Sequence, residues 1–340
     1  MKVARYYGAG DVRVEEMPVP DAGPGEIVIR IRASGICGSD VMHWYRQGRG
    51  PVVLGHEIGG EVSAVGPGVT AFKTGDRVAA SHHVPCNTCH YCLTGHDTVC
   101  DTLRSTNFYP GGFSEYVRLP SINVDRGVYL LPEGMSFEEA TFIEPLACVY
   151  RGQRIAGTGR YMSVLVIGSG ISGLLHIQLA RTLGASLIVA TDINDYRLSA
   201  ARRLGADGAI DAGEDVPGAF RKINGGRPAD VVILTTGSER AIIQAFQSVD
   251  KGGTILFFAP ANRGVSVPLP VNDLFWRNEI TLTSSYAANY NEHMTAMELI
   301  RQRNVNVRDM ITHRLPLSET AEGFCLVERA EESIKVIITP

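Results

Sequence analysis

The sequence predicts an α/β protein in which a β-rich segment gives way to a doubly wound parallel-sheet domain, and three observations carry that prediction. Up to about residue 145, short apolar runs are punctuated by Gly23-Pro24-Gly25, Gly66-Pro67-Gly68 and Gly75-Asp76, the texture of strands joined by tight turns. From about Pro145, helical patterns alternate with Val/Ile/Leu runs, as they do where helices cover both faces of a parallel sheet. Within that second stretch a G-x-G-x-x-G motif lies between a strand and a helix.

In the β-rich stretch, Ile27 to Ile31 and Gly60 to Val65 read as strands. Between and after them lie the residues with chemistry. Cys86, Cys89, Cys92 and Cys100 follow the spacing C-x2-C-x2-C-x7-C, which offers four thiolates in one loop and suits a closed, structural zinc site. Cys37 with Gly55-His56-Glu57 supplies one Cys, one His and a carboxylate, a set that leaves a fourth position open for water or substrate. A disulfide framework is the competing reading of the clustered cysteines. A chain of 340 residues that begins Met1-Lys2-Val3 without an apolar signal segment and holds seven cysteines, an odd number, favours metal. His82, His83, His90 and His96 read as solvated loop residues, and Cys148 and Cys325 as small buried apolar groups in helices.

The second stretch begins with the buried strand Ser163 to Ile167. Gly168-Ser169-Gly170-Ile171-Ser172-Gly173 follows, opening a helix to about Leu183 that Gly184 ends. The glycines allow a tight turn and the approach of a pyrophosphate to the helix N-terminus. The next strand, Ser186 to Thr191, leads into Asp192, nineteen positions after Gly173, where a carboxylate can accept hydrogen bonds from both ribose hydroxyls of an adenosine. Ile193 follows, with no adjacent arginine for a 2′-phosphate, so NAD is expected over NADP. Arg197 is close enough along the chain to reach the adenosine end, or else lies on a helix surface. Ala229 to Leu234 is a further strand, Ser238 to Val249 a helix, Gly252-Gly253 a turn and Thr254 to Ala259 a strand. Thr236, Phe258, Ala259, Ser284, Ser285 and Tyr286 fall near strand carboxyl ends, where such a sheet receives its ligand.

Composition narrows the partners. A net charge of −4 offers no basic stripe, so nucleic acid and anionic membrane are not expected partners, and no apolar run approaches the length of a membrane span. The expectation is a soluble, cytoplasmic protein acting on a small molecule.

Gly55-His56-Glu57, Gly60, Gly66 and Val69 match the zinc signature of the medium-chain alcohol dehydrogenases. Cys37-Gly38-Ser39-Asp40, the four-cysteine loop and Glu144-Pro145-Leu146 stand in that superfamily's order, so the whole chain resembles it. Glu144 in place of a cysteine, with Ser284-Ser285-Tyr286-Ala287, is most similar to the polyol branch, the sorbitol or L-iditol 2-dehydrogenases. The resemblance implies a GroES-like, β-rich catalytic domain interrupted by a Rossmann domain. Residues 1–146 and 282–340 would form the former and 147–281 the latter, with the catalytic zinc in the cleft between them and the final strand Ile334 to Ile338 returning to the first domain. It implies two zinc ions per chain, NAD, and a homodimer or homotetramer. Cys37 and His56 would bind the catalytic zinc, Glu57 and Glu144 would ligate it directly or through water, and Asp40 would orient His56 through its second ring nitrogen. Many relatives carry a proton-passing histidine five residues after the ligand cysteine. Here that position is Met42 and the histidine is His43, so the relay would use Ser39, a carboxylate and water. His43 and Trp44 would line the substrate pocket or pack at the surface.

The implied reaction is hydride transfer from a secondary alcohol of a polyol, sugar alcohol or cyclitol to NAD, giving a ketone. Two rivals stand beside it: an amino-alcohol dehydrogenase acting on threonine or an aminocyclitol, and an inert NAD-binding structural or sensor protein.

Overall fold

The computed structural model describes all 340 residues, which separate into two compact units. Unit 1 comprises Met1–Ala147, Ala287–Arg301 and Val307–Pro340; unit 2 comprises Cys148–Tyr286 and Gln302–Asn306. The strands, in chain order, are β1 (Lys2–Gly8), β2 (Asp11–Glu16), β3 (Ile27–Gly35), β4 (Val52–Val53), β5 (Glu57–Val65), β6 (Arg77–Ala80), β7 (Tyr116–Leu119) and β8 (Val128–Leu130). They continue as β9 (Ser163–Ile167), β10 (Leu187–Asp192), β11 (Gly208–Asp211), β12 (Ala229–Leu234), β13 (Val249–Phe257), β14 (Thr281–Ser284), β15 (Ile311–Pro316) and β16 (Lys335–Thr339).

Unit 1 is β-rich. A small sheet runs β2-β1-β4, and a larger one runs β15-β16-β3-β5-β6-β8 with β7 also on β3. Strand β3 organises the larger sheet. Its apolar residues Ile27, Ile29 and Ile31 alternate with Arg30 and Arg32 along most of its length, burying one face with Ile58, Val62, Val78 and Val117. One edge of β3 pairs with β5 from Ile27 to Gly35. The other is shared: β7 takes Ile27 to Arg30 and the C-terminal strand β16 takes Ser34 and Gly35. A strand more than 300 residues away in sequence thus meets the end of β3, where the chemistry-bearing residues begin.

Unit 2 is a six-stranded parallel sheet in the order β11-β10-β9-β12-β13-β14, which is the 3-2-1-4-5-6 order of a Rossmann fold. All five residues of β9 are buried, as a central parallel strand requires. The order reverses between β9 and β12, and the glycine motif follows β9 at that switch point.

Three details differ from the sequence reading. Unit 2 continues to Tyr286 rather than ending at 281, because β14 pairs with β13 and belongs to the sheet, and Gln302–Asn306 also joins it. Strand β13 begins at Val249, with Gly252-Gly253 inside a register shift rather than in a turn before the strand, and it ends at Phe257. Cys148 and Cys325 are half-buried rather than fully buried.

Candidate active site and metal centres

The cysteine loop of unit 1 gathers its four sulfurs as the spacing demands. Cys89 and Cys92 sulfurs are 3.5 Å apart, Cys86 and Cys100 3.6 Å, and Cys86 and Cys92 3.9 Å, and none is oxidised to a disulfide. Four thiolates placed tetrahedrally at the usual zinc–sulfur length would stand roughly 3.8 Å apart. Asn87 adopts a left-handed φ of 61°, which turns the chain so that the Cys89 N–H donates to the Cys86 sulfur at 3.3 Å. Hydrogen bonds from Thr88 and the Cys89 N–H hold the Cys86 thiol down at about 5, while burial and its cysteine neighbours push Cys92 up to about 12. Four sulfurs packed this way cannot all ionise without a cation among them, so the donor set fits zinc.

The second cluster follows from strand register. Gly35 at the end of β3 lies opposite Glu57 at the start of β5, so Cys37, just past β3, and His56, just before β5, emerge side by side. Ligand atoms of Cys37, His56 and Glu57 all lie within 4.8 Å of one another, close enough to share one ion. Asp40 is fully buried and its carboxylate accepts from the Cys37 N–H at 3.1 Å and from Arg46 at 3.2 Å. It stands 3.7 Å from His56 Nδ1, in ion-pair range rather than at hydrogen-bond length. Burial opposes the charged form of His56. The Asp40 charge, the Cys37 contact and the Glu144 charge outweigh burial and hold its pKa well above the ordinary value. This cluster attracts a cation, which is the electrostatic condition for binding metal.

Ser39 donates from Oγ to the Cys37 sulfur at 3.4 Å, and Arg46 donates to the Ser39 carbonyl at 2.9 Å. Glu144 stands in the first turn of the helix Ile143–Ala156, outside the three-member group but near enough for its charge to act on His56 and on Tyr129. His43 is at the surface, 47% exposed and 2.5 Å from Glu328, so the surface alternative holds for it.

Sequence reasoning missed two features. Lys335, fully buried on β16, forms an ion pair with Glu57, and the absence of a side chain at Gly35 leaves the room: a Cβ there would lie 2.6 Å from the lysine Nζ. Lys335 reads locally as one charged residue in an apolar strand, and that mismatch was the available signal. His82 and His83 are not solvated loop residues. Their rings lie 3.7 Å apart, and His82 also packs on His56 at 4.7 Å, whereas His90 and His96 are exposed.

In unit 2 the glycine motif has the shape a dinucleotide requires. Gly168 has φ +97°, and a Cβ there would lie 2.6 Å from Thr235 Oγ1; a Cβ at Gly173 would overlap the Gly168 carbonyl. At Gly170 the space is open, with Arg197 nearest at 3.8 Å. Tight turn, open approach and close helix packing are the three roles that the motif assigns to its glycines. Ile171 and Ser172 open the helix Ile171–Thr182, whose N-terminus faces that approach. Asp192 ends β10 and is 8% exposed, and its carboxylate accepts from the Ser169 N–H at 2.7 Å and the Asn194 N–H at 3.1 Å. It therefore shapes the loop with lone pairs to spare. Arg197 lies over the loop rather than out on the helix surface, and its Nε has no partner. Thr236 follows β12, Phe258 and Ala259 follow β13, and Ser284, Ser285 and Tyr286 end or follow β14, all at the carboxyl edge of parallel strands. The Phe258 ring meets His176 edge-on at 4.6 Å, so this side chain also packs the unit.

Comparison with known proteins agrees with this construction. The alcohol dehydrogenase GroES-like domain family matches residues 23–129 and the zinc-binding dehydrogenase family residues 172–302. Sorbitol dehydrogenase of Gallus gallus is 33% identical over 345 residues, covering 98% of this chain and 94% of its own. Among solved structures, a protein of Sinorhizobium meliloti 1021 bound to NADP superposes with a TM-score of 0.89 at 27% identity, covering 100% of this chain and 99% of its own. An alcohol dehydrogenase of Escherichia coli CFT073 complexed with NADH gives 0.89 at 26%, with the same coverage. A GroES-like unit joined to a Rossmann sheet and carrying these cysteine, histidine and glycine motifs defines a zinc-dependent medium-chain dehydrogenase, an oxidoreductase. The chain belongs to that superfamily and, within it, to the polyol branch that includes the sorbitol dehydrogenases.

Proposed function

We propose that the protein oxidises a secondary alcohol of a polyol or cyclitol to a ketone, with NAD as hydride acceptor and two zinc ions per chain. The observation that carries this reading is the Glu144 carboxylate beside the Cys37–His56–Glu57 set, in a chain similar to sorbitol dehydrogenase over nearly its whole length. Zinc at that set supplies Lewis acidity toward an alcohol oxygen, and NAD supplies the hydride acceptor.

The chain's own residues do the rest. Cys37 and His56 provide thiolate and imidazole, and Asp40, held by Arg46 and the Cys37 N–H, fixes the approach of His56. Ser39 Oγ would take the hydroxyl proton while passing its own to Glu144 or water; bound NAD would supply the acceptor for hydride from the carbon bearing that hydroxyl, so that alcohol plus NAD balances to ketone, NADH and a proton. Glu144 accepts a hydrogen bond from a hydroxyl next to the reacting one. In unit 2, Gly168, Gly170 and Gly173 would seat the pyrophosphate, Asp192 would take the ribose hydroxyls, and Arg197, the side chain nearest Gly170, would meet the phosphates. The buried Asp192 carboxylate disfavours a 2′-phosphate, which supports NAD, although relatives are solved with each cofactor. The loop residues Thr236, Phe258, Ala259, Ser284, Ser285 and Tyr286 would border the nicotinamide end.

No helix is long and apolar enough to cross a membrane. Seven free cysteines support a reducing cytoplasm, and exposed Leu269, Val271, Phe275 and Trp276 before the edge strand β14 support a homo-oligomer. The deciding experiment follows NAD reduction by zinc-loaded protein across polyols, cyclitols, threonine and monohydric alcohols. Greater catalytic efficiency with threonine or a monohydric alcohol than with every polyol and cyclitol would overturn the substrate assignment.

A further inference from the structure

Unit 1 gathers three further polar side chains, His82, Tyr129 and His293, near the Cys37–His56–Glu57 set. They come from distant parts of the chain: His82 from the loop after β6, Tyr129 from β8 and His293 from the helix Tyr290–Arg301. His82 packs on His56 with ring centroids 4.7 Å apart, and His293 lies parallel to Tyr129 at 5.1 Å with only 8° between the planes. His82 and His293 are close enough that a charge on one opposes a charge on the other, and Tyr129 is close enough to Glu144 to feel its charge.

The hydrogen-bonding state of His293 follows from its neighbours. The side chain is buried, 2% exposed, and Nδ1 lies 2.8 Å from the Asn289 carbonyl. A carbonyl only accepts, so Nδ1 carries the hydrogen and Nε2 of the neutral ring is a bare acceptor. That Nε2 is buried and has no partner. His82 Nδ1 is likewise buried without a partner. Burial drives the His293 pKa down to about 4, more than the Asn289 and Glu292 contacts raise it, so the ring is neutral at physiological pH. Two unmade hydrogen bonds at buried nitrogens of neighbouring imidazoles, one of them packed on His56, call for a partner.

The helix that carries His293 is fixed in place. Asn289 and Glu292 exchange side-chain to backbone hydrogen bonds at 3.0 and 2.8 Å across its first turn, and Asn289 donates to Asp97 in the cysteine loop at 2.7 Å.

We propose that His293 Nε2 and His82 Nδ1 are substrate-binding groups that hydrogen-bond hydroxyls flanking the reacting carbon. This rests on the polyol reading and assigns the specificity for additional hydroxyls to these two imidazoles as well as to Glu144. A hydroxyl satisfies either nitrogen in either tautomer, which a methyl or methylene cannot do.

The test compares sorbitol with 2-propanol in the zinc-loaded enzyme with NAD, for wild type, His293→Phe, His293→Gln and His82→Phe, with melting temperature and zinc content measured for each. Phenylalanine keeps the ring packing and removes the nitrogen. The ratio of kcat/KM for sorbitol over 2-propanol is expected to fall about tenfold for each lost hydrogen bond, mostly through the KM for sorbitol. His293→Gln retains an oxygen acceptor and should recover part of the ratio. A wild type that prefers sorbitol, with the ratio unmoved in both phenylalanine variants, overturns this inference and leaves the polyol reading standing. A glutamine variant as impaired as the phenylalanine one assigns the loss to packing and also overturns it. A wild type with no preference for sorbitol removes the polyol reading and this inference together.

Discussion

Glu57 is shared between two partners: it belongs to the donor set with Cys37 and His56, and it is ion-paired with Lys335, both side chains lying out of solvent. The pairing is a product of sheet register, because Glu57 lies opposite Gly35 on β3 and β16 pairs with the same end of β3. The lysine ammonium also lies 3.4 Å from the Ile36 carbonyl and 5.4 Å from the Phe142 ring centre, so its charge meets several electron-rich groups. A carboxylate neutralised by a buried lysine is a weaker metal ligand than a free one. On the proposed function, Lys335 would shift the balance toward Cys37, His56 and Glu144 as the groups that deal with the metal and substrate.

Breaking that pair leaves an uncompensated buried charge. Lys335→Ala should lower unfolding free energy by about 3–5 kcal/mol, whereas Lys335→Met combined with Glu57→Gln should recover much of the loss. Urea unfolding of Lys335→Met, Glu57→Gln and their double variant measures the coupling. A Lys335→Ala protein as stable as wild type would show that the pair contributes nothing.

Metal content should separate the two clusters. Zinc-reconstituted wild type is expected to hold two ions per chain by elemental analysis. Cys86→Ser should lose one and melt roughly 10 °C lower, since several kcal/mol correspond to that shift in a protein of this size. Because Asn289 ties the His293 helix to Asp97 of the same loop, this variant should also raise the KM for the alcohol. Cys37→Ala should lose the other ion, keep its melting temperature within a few degrees and be inactive. Only one zinc in the reconstituted wild type would refute the scheme.

How much of this was legible in the sequence depended on how local the cause was. The roles of Gly168, Gly170 and Gly173 are set by contacts within their own loop and with Thr235 after a neighbouring strand, so a short motif announces them. The cysteine loop is equally self-contained. Cys37 and His56 needed only the pairing of β3 with β5. Lys335, His82 and His293 were opaque because their meaning arises from the register of β16 against β3 and from the helix Tyr290–Arg301 packing near β8. Histidines in a loop look alike until the fold packs His82 and His83 against other rings, half-buried, and leaves His90 and His96 outside.

Buried neutral histidines make stability depend on pH. His176, fully buried, accepts from the Gln153 amide at 3.1 Å, and burial holds its pKa down at about 3. In the unfolded chain the same group titrates near 6.5. Between about pH 3 and 6.5 the unfolded state binds the proton and the folded state does not, so stability rises with pH across that window, by up to ~1.4 kcal/mol per pH unit for this residue. Chemical denaturation at pH 5 and pH 7 should show wild type weaker at pH 5, and His176→Gln should flatten the difference. An unchanged difference in that variant would place the pH dependence elsewhere.

Cofactor preference should turn on Asp192. Its carboxylate is bound by the Ser169 and Asn194 N–H groups, is buried, and faces any 2′-phosphate with like charge. Asp192→Ala should lower kcat/KM for NAD by roughly tenfold or more, through a loosened glycine loop as well as the lost ribose bond, and should narrow or reverse the preference over NADP. Arg197, beside the open approach at Gly170, is then free to pair with the added phosphate, so Asp192→Ala with Arg197→Ala should lose the gain in NADP use. Steady-state kinetics with both cofactors decides it, and a wild type more efficient with NADP than with NAD would reverse the assignment.

On the proposed function, Glu144 would separate the chemistry of a polyol from that of a simple alcohol. Its carboxylate lies near enough to act electrostatically on both His56 and Tyr129, on the side of the site where His82 and His293 lack partners. Glu144→Gln keeps the shape and removes the charge. NAD binding, which depends on the glycine loop and Asp192 in unit 2, should keep its dissociation constant, while kcat/KM for sorbitol falls about a hundredfold or more, because a weakened proton acceptor and a poorer hydroxyl partner act together. Full sorbitol activity in Glu144→Gln, with NAD binding intact, would remove Glu144 from the reaction and leave Glu57 as the carboxylate of the site.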